Sequence, residues 1–348
     1  MQLQRNATID AFRGVAIIAV IAFHYFVRWE PPYNDGRHPV GLDWRYPYIL
    51  ALGAYGVQLF FVISGLVIAM TLTKSADVWQ FAVNRFARLF PAFLVAVTLT
   101  FLVTSVYDPL GFRVTGLDYL KNLTMLAQVL RGRFVDGAYW SLEVEVLFYG
   151  FAALSWWTLR ERFWVGLIGL AALGTIAGAF SSTLGHVLIA PYWPFFLFGV
   201  ALWLWVFERR NVAAFPAAAA LVLYLIGQER WLIDGLPAWA PQIAILGAIG
   251  CLAAFLVGGR EVAWGPLPVI GRFSYSLYLL HQVLGATALT TLKSAGAPDW
   301  LALTVVVSCA LSLAWIFYHF IEVPAGRWIR RQDQPWFRLP VRTRAPAE

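Results

Sequence analysis

Hydrophobic residues in this chain arrive in long runs separated by short polar stretches. About ten such runs, at residues 9–28, 48–72, 86–106, 139–158, 163–181, 187–207, 212–228, 240–258, 269–291 and 299–321, are mostly apolar over their whole length. A helix needs about 20 such residues to cross the hydrocarbon core of a bilayer. The pattern predicts an all-α, polytopic integral membrane protein with about ten transmembrane helices. Between the third and fourth runs, Leu117, Leu120, Leu123, Leu126 and Leu130 recur at helical spacing over a stretch too short to cross. That stretch predicts an interfacial or re-entrant helix.

Composition supports the membrane reading. The 348 residues are 60% hydrophobic and 13% charged, with a mean hydropathy of +0.67, where a soluble protein carries about a quarter charged residues. The net charge of +7 would suit a nucleic-acid binder, but basic residues beside apolar spans have a simpler use in holding loops on the cytoplasmic side. With the N-terminus inside, sixteen Lys and Arg fall on inner segments and nine on outer ones. This asymmetry predicts that both termini are cytoplasmic and that no nucleic acid is bound. The first run carries Asp10 and Arg13 and lacks a small-x-small cleavage site, so it is expected to be a retained span. Cys251 and Cys309 each lie within an apolar run and are expected to be small buried hydrophobes. No linker separates a soluble domain. Residues 1–324 are expected to form one membrane domain and residues 325–348 a short basic cytoplasmic tail.

Several ionisable residues interrupt the runs. Insertion scales charge about 2.5–3.5 kcal/mol for such a residue at a span's centre, so those that persist usually have a partner and a job. In the first run, "DAFRGVAIIAVIAFH", Asp10 and His24 stand 14 residues apart, or about 21 Å along a helix, and cannot touch. Arg13 and His24 differ by only about 20° around the axis and share a face. Arg85 and Arg88 open the third run in "NRFARLFP". Positive-inside topology accounts for them equally well as an anion clamp built from guanidinium forks. Glu143 and Glu145 enter the fourth run in "YWSLEVEVLFYG", with Glu145 at a depth similar to that of His24, so that the two could pair. Glu143 could also be a snorkelling surface acid. Ser64 and Gly65 suggest a close helix crossing. His281 reads as a lone polar residue met by a neighbouring helix, and His319 and Glu322 read as structural. His38 and His186, in outer loops, carry little signal.

These pieces together resemble the acyltransferase-3 family of integral-membrane acyltransferases. The resemblance rests on "DAFRG" followed by His24, "LFFVISGLVI", "RFARLFP", "WSLEVEVLFY", "FSYSLYLLH" and "EVP", in family order over nearly the whole chain. It implies that residues 1–324 are an acyltransferase-3-like domain in the plasma membrane, the bacterial inner membrane. The implied reaction moves an acyl group, usually acetyl from acetyl-CoA, to a hydroxyl on a carbohydrate, lipid-linked glycan or other envelope acceptor. By position, His24 matches the family's essential histidine, Asp10 and Arg13 its preceding acid and arginine, Arg85 and Arg88 the pair linked to the acyl-CoA donor, and Glu145 the fourth-span glutamate. No metal is implied. Some relatives append an extracytoplasmic hydrolase-like domain, so the membrane part is expected to complete the reaction itself or with a separate partner.

Histidine titrates near neutrality and can take a proton from an acceptor hydroxyl, with Glu145 orienting it as the acid does in a triad. An acyl-histidine relay is the other route. A transporter or flippase of a lipid-linked glycan is the rival function, but it gives no reason for an arginine pair facing CoA. The outer segment 28–47, rich in Trp, Tyr and acids, has the composition of a sugar-binding surface and equally of an interfacial belt.

Overall fold

The computed structural model describes residues 6–27, 48–227, 237–259, 261–262 and 264–332. The outer segment 28–47 and the distal part of the basic tail lie outside the described residues. Among the described residues every regular element is helical, and six segments are long and apolar enough to cross a membrane. The protein is a membrane protein.

The long helices follow the hydrophobic runs. α1 (Ala7–Phe26) is capped by Asn6, whose side chain accepts from Ile9 N–H at 3.2 Å, satisfying one of the donors a helix start leaves bare. α2 (Gly56–Lys74) follows a 3-10 stretch at Tyr48–Tyr55. α3 (Val78–Val106) starts at Asp77, which caps Gln80 N–H at 2.7 Å. This early start carries Arg85 and Arg88 two turns and more into the helix, away from its mouth. Pro91 lies inside α3 and has no N–H to give the Ala87 carbonyl.

α4 (Gly116–Asn122) is shorter than the leucine spacing predicts. Asn122 ends it by turning its side chain to the Asp118 and Arg133 carbonyls, both at 2.8 Å. The chain then turns through left-handed residues at Met125 (φ 59°) and Arg131 (φ 55°). α5 (Trp140–Leu159), α6 (Phe163–Phe180), the short α7 (Ser182–Val187), α8 (Trp193–Val206), α9 (Ala214–Ile226) and α10 (Trp239–Val257) complete the central part.

The ninth run is not one helix. It divides into α11 (Leu267–Arg272), α12 (Ser274–Leu280) and α13 (Val283–Ser294). The second break falls at His281 and Gln282, and a polar group on either side of it is met. The Tyr25 hydroxyl donates to the His281 carbonyl at 2.7 Å, and the Asp136 carboxylate accepts from Val283 N–H at 2.9 Å. Irregular backbone at membrane depth persists where protein satisfies it in this way. α14 (Asp299–Phe317) passes through a π-turn at Tyr318–Glu322 into α15 (Val323–Gln332). α15 packs on α3, where a Cβ on Gly326 would stand 2.6 Å from the Ala87 carbonyl freed by Pro91.

Several crossings are close enough to require glycine. α2 meets α8 through Gly65 and Gly199, and α1 meets α11 through Gly14 and Gly271, each facing backbone of the opposite helix. Small residues let backbones approach in this way where lipid supplies no hydrophobic drive. Cys251 and Cys309 are exposed, contrary to the expectation of burial, because each sits on the outward side of its helix.

Gly199→Ala should lower the detergent-solubilised melting temperature markedly, because its Cβ would collide with the Val62 carbonyl and overpacking costs about 1–3 kcal/mol. Gly247→Ala, with nothing within 4 Å of its added Cβ, should leave melting unchanged or slightly raised. Equal melting of the two variants would contradict the tight crossing.

Candidate active site

The sequence-predicted polar residues gather at two cavities rather than one. The first, of about 80 Å³, is lined by Arg13, Arg85, Arg88, Glu145, Tyr149 and Tyr278 among others. It lies between α1, α2, α3, α5 and α12. The second, of about 580 Å³, is lined by His24, Gln128, Arg133, Trp140 and Gln282 among others.

In the arginine cavity the three cations are held differently. Arg13 stands 3.7 Å from Asp10, one turn earlier on α1. Asp10 is buried and does not line either cavity, so its place is behind Arg13. Arg88 is neutralised: its Nη1 meets Glu322 Oε1 at 2.5 Å, and Ser276 donates to Glu322 Oε2 at 2.8 Å. Glu322 is buried, and the π-turn that carries it lets it reach α3 and α12 together. Arg85 has no carboxylate partner among the described residues. Its Nη2 donates to the Thr71 hydroxyl at 3.1 Å, and its guanidinium lies 5.8 Å and 5.9 Å from the Phe81 and Tyr149 rings. Its Nε is buried without a hydrogen bond. Spacing alone makes Arg85 and Arg88 an equal pair. Their surroundings separate them: Arg88 is ion-paired and Arg85, among the described residues, is not.

Glu145 also belongs to this cavity. The Ser64 and Tyr149 hydroxyls both donate to its Oε1, at 2.7 Å and 2.5 Å. Ser64 thus joins α2 to α5 beside the Gly65 crossing. Glu145 and His24 line different cavities and share no hydrogen bond or ion pair among the described residues. The similarity of depth along their two helices does not bring them together, because the Ser64–Tyr149 pair holds Glu145 on the arginine side.

His24 instead meets His281. Its Nδ1 lies 2.9 Å from the Val20 carbonyl and 3.3 Å from His281 Nε2, with ring centroids 5.0 Å apart. His281 is fully buried, and its Nδ1 lies 2.8 Å from the Tyr278 carbonyl. Its ring packs 5.4 Å from that of Tyr278. Tyr278 in turn lines the arginine cavity and shares a 2.6 Å hydrogen bond with Ser141. A chain of ring contacts from Tyr278 through His281 to His24 therefore connects the wall of one cavity to the other.

Glu143, which carries no site role in the sequence, is fully buried rather than snorkelling. It lies 2.7 Å from His186 Nε2 and accepts from Gln128 N–H at 2.8 Å. It fastens α7 and the 123–131 turns against α5, and so shapes the histidine cavity. Arg133 is set by its own backbone, which bonds to Asp118 and Asn122. The parts played by His281, Glu322 and His186 escape the sequence because their partners are 257, 234 and 43 residues away. The available signal was a polar residue within each of the "FSYSLYLLH" and "EVP" stretches.

A sequence profile described as an acyltransferase domain, Acyl_transf_3, matches residues 6–319. The chain is 25% identical over 366 residues to the O-acetyltransferase OatA of Staphylococcus aureus, covering 91% of this chain and 56% of that protein. It is 25% identical over 371 residues to the putative peptidoglycan O-acetyltransferase YrhL of Bacillus subtilis, covering 91% and 54% respectively. Against nodulation protein 10 of Rhizobium leguminosarum bv. viciae it is 26% identical over 329 residues, covering 82% of this chain and 85% of that protein. The chain spans about half the length of the first two of these relatives. No solved structure matches it. The matched profile runs from the N-cap of α1 into the π-turn beyond α14, through both cavities, and the chain belongs to the acyltransferase-3 family.

Proposed function

We propose that this protein is a membrane-embedded O-acyltransferase. It moves an acyl group, acetyl by analogy with the names of two relatives, from acyl-CoA to a hydroxyl of a carbohydrate or lipid-linked glycan. The observation that carries the reading is the state of His24. Its Nδ1 faces a carbonyl, which only accepts, so Nδ1 holds the ring proton and Nε2 holds the lone pair. That lone pair belongs to a half-buried ring on the wall of the wide cavity, with room for a sugar. A general base needs this arrangement.

The donor would enter by the other cavity. Arg85, which has no ion pair among the described residues, suits the phosphates of CoA. Asp10 holds Arg13 beside it, and Glu145 lines the same cavity as the arginines. The positive-inside asymmetry supports a cytoplasmic position for this cavity, where acyl-CoA is made, and for both termini. The histidine cavity then opens outward from the plasma membrane. The acceptor oxygen forms an ester bond with the acyl carbon as the C–S bond breaks. The hydroxyl proton passes to His24 Nε2 and from there to the departing thiolate. Reaching His24 from the arginine cavity requires the thioester to pass Tyr278, so the Ser141–Tyr278 hydrogen bond has to open.

The break between α12 and α13 favours a second reading, because discontinuous helices build many transporter sites. Here the His281 carbonyl and Val283 N–H at the break are taken by Tyr25 and Asp136 and are not offered to a cargo.

His24→Ala should lower acyl transfer in membranes by about 10²–10⁴-fold, the usual contribution of a general base, while expression and melting stay near those of the parent. Full activity in that variant would remove His24 from the chemistry.

The arginines should separate in their effects. Arg85→Lys keeps the charge and loses the planar fork, so the KM for acyl-CoA should rise about tenfold, or about 1.4 kcal/mol. Arg88→Gln leaves buried Glu322 without its cation and should cost stability on the order of 3 kcal/mol, read as a lower melting temperature. An unchanged KM for Arg85→Lys would take Arg85 out of the donor site.

A further inference from the structure

We propose that His281 is a positioning residue for His24, the two rings forming a directed imidazole pair in which His281 performs the service that the acid performs in a serine-protease triad. The inference rests on the reading of His24 as the base, and its test separates the two.

The hydrogen-bond directions follow from the carbonyls. The Tyr278 carbonyl at 2.8 Å only accepts, so the proton of neutral His281 is on Nδ1 and its Nε2 carries a lone pair. That lone pair faces His24 Nδ1 at 3.3 Å. The Val20 carbonyl independently puts a proton on His24 Nδ1 at 2.9 Å. The single N–H of His24 thus points between two acceptors, one backbone and one imidazole. Together they fix the tautomer and aim the opposite nitrogen, Nε2. When His24 takes the acceptor's proton, the positive ring keeps its Nδ1 proton shared between the same two acceptors, and no group has to reorient.

The surroundings favour a dedicated role over simple packing. His281 is fully buried, so water does not compete for its Nε2. It sits where the ninth span breaks, and the break is supported from three sides. Tyr25 takes the His281 carbonyl, Asp136 takes Val283 N–H, and Gly285 leaves room for the Tyr25 hydroxyl. An uninterrupted helix bearing leucine at this position would need none of these groups. Glu145, the sequence-based candidate for orienting His24, is held in the other cavity by Ser64 and Tyr149.

The test uses His281→Asn and His281→Gln in the full-length protein in membranes, with kcat and KM measured for acyl transfer from acetyl-CoA. Asn places an amide near the Nδ1 position and keeps a donor for the Tyr278 carbonyl, but it reaches no acceptor toward His24. Gln extends to the Nε2 position and offers an oxygen there. His281→Asn should lower kcat at least tenfold with the KM for acetyl-CoA within twofold of the parent, and His281→Gln should recover a substantial part of kcat. Parental kcat in His281→Asn while His24→Ala is inactive would overturn the pairing and leave the base intact. Parental activity in His24→Ala would instead overturn the base reading itself. Nitrogen-15 NMR of the histidine-labelled parent supplies a measurement independent of any variant's folding. Both His24 and His281 should show a protonated Nδ1 and a bare Nε2, and a protonated Nε2 on neutral His24 would overturn the proposal.

Discussion

Hydrocarbon offers nothing to a charge or to a bare carbonyl, so each polar group inside the bundle has to find its partner on the chain. That requirement organises this protein more than its apolar surface does, since lipid tails compete for apolar contact as well as neighbouring helices do. Arg88 reaches Glu322, Ser64 reaches Glu145, Tyr25 reaches the His281 carbonyl and Asp136 reaches Val283 N–H. Each bond joins helices distant in sequence. The glycine crossings bring backbones near enough for these bonds to form. Truncating one partner of such a pair leaves a stranded group, which costs more than the bond itself contributes.

The same requirement makes unsatisfied groups informative. Among the described residues Arg85 has no ion pair and its Nε no hydrogen bond, while Arg88 three residues on is neutralised. His24 Nδ1 faces a carbonyl and a second imidazole, which leaves the lone pair on Nε2. These two exceptions mark the two ends of the proposed reaction, one suited to phosphate and one to a hydroxyl proton. Between them stand Tyr278 and His281. That wall is what an acyltransferase needs if acyl group and acceptor come from opposite sides, because an open passage would leak water and ions. In the proposed reaction the reactants meet only when Tyr278, held by Ser141 and the Ala138 carbonyl, gives way.

Hydropathy was enough to read the helical membrane architecture, because about 20 apolar residues in succession have few alternatives in water or lipid. It could not reveal that the ninth run is broken, since "FSYSLYLLHQVLGA" contains no proline and its one glycine lies beyond the break. The break depends on Tyr25 and Asp136, which no local pattern announces. Helical spacing placed Arg13 and His24 on one face of α1, and the structure divides that face between two cavities. Glu145 and His24 lie at similar depth along their helices, but depth is one coordinate of three, and Ser64 and Tyr149 hold Glu145 in the other cavity. The "FSYSLYLLH" and "EVP" stretches were legible as resemblance before their histidine and glutamate had any physical role. Those roles needed the contacts with His24 and Arg88.

In the proposed reaction one protein carries an acyl group between two faces of a membrane. That transfer is tested most directly in sealed vesicles of known orientation, with acetyl-CoA supplied on one side and a carbohydrate acceptor confined to the other. Donor on the cytoplasmic face should acetylate acceptor on the opposite face, and donor supplied only on the acceptor's side should not. Equal acetylation from either side, or acetylation confined to acceptor on the cytoplasmic face, would contradict the separation of the arginine and histidine cavities into donor and acceptor sites.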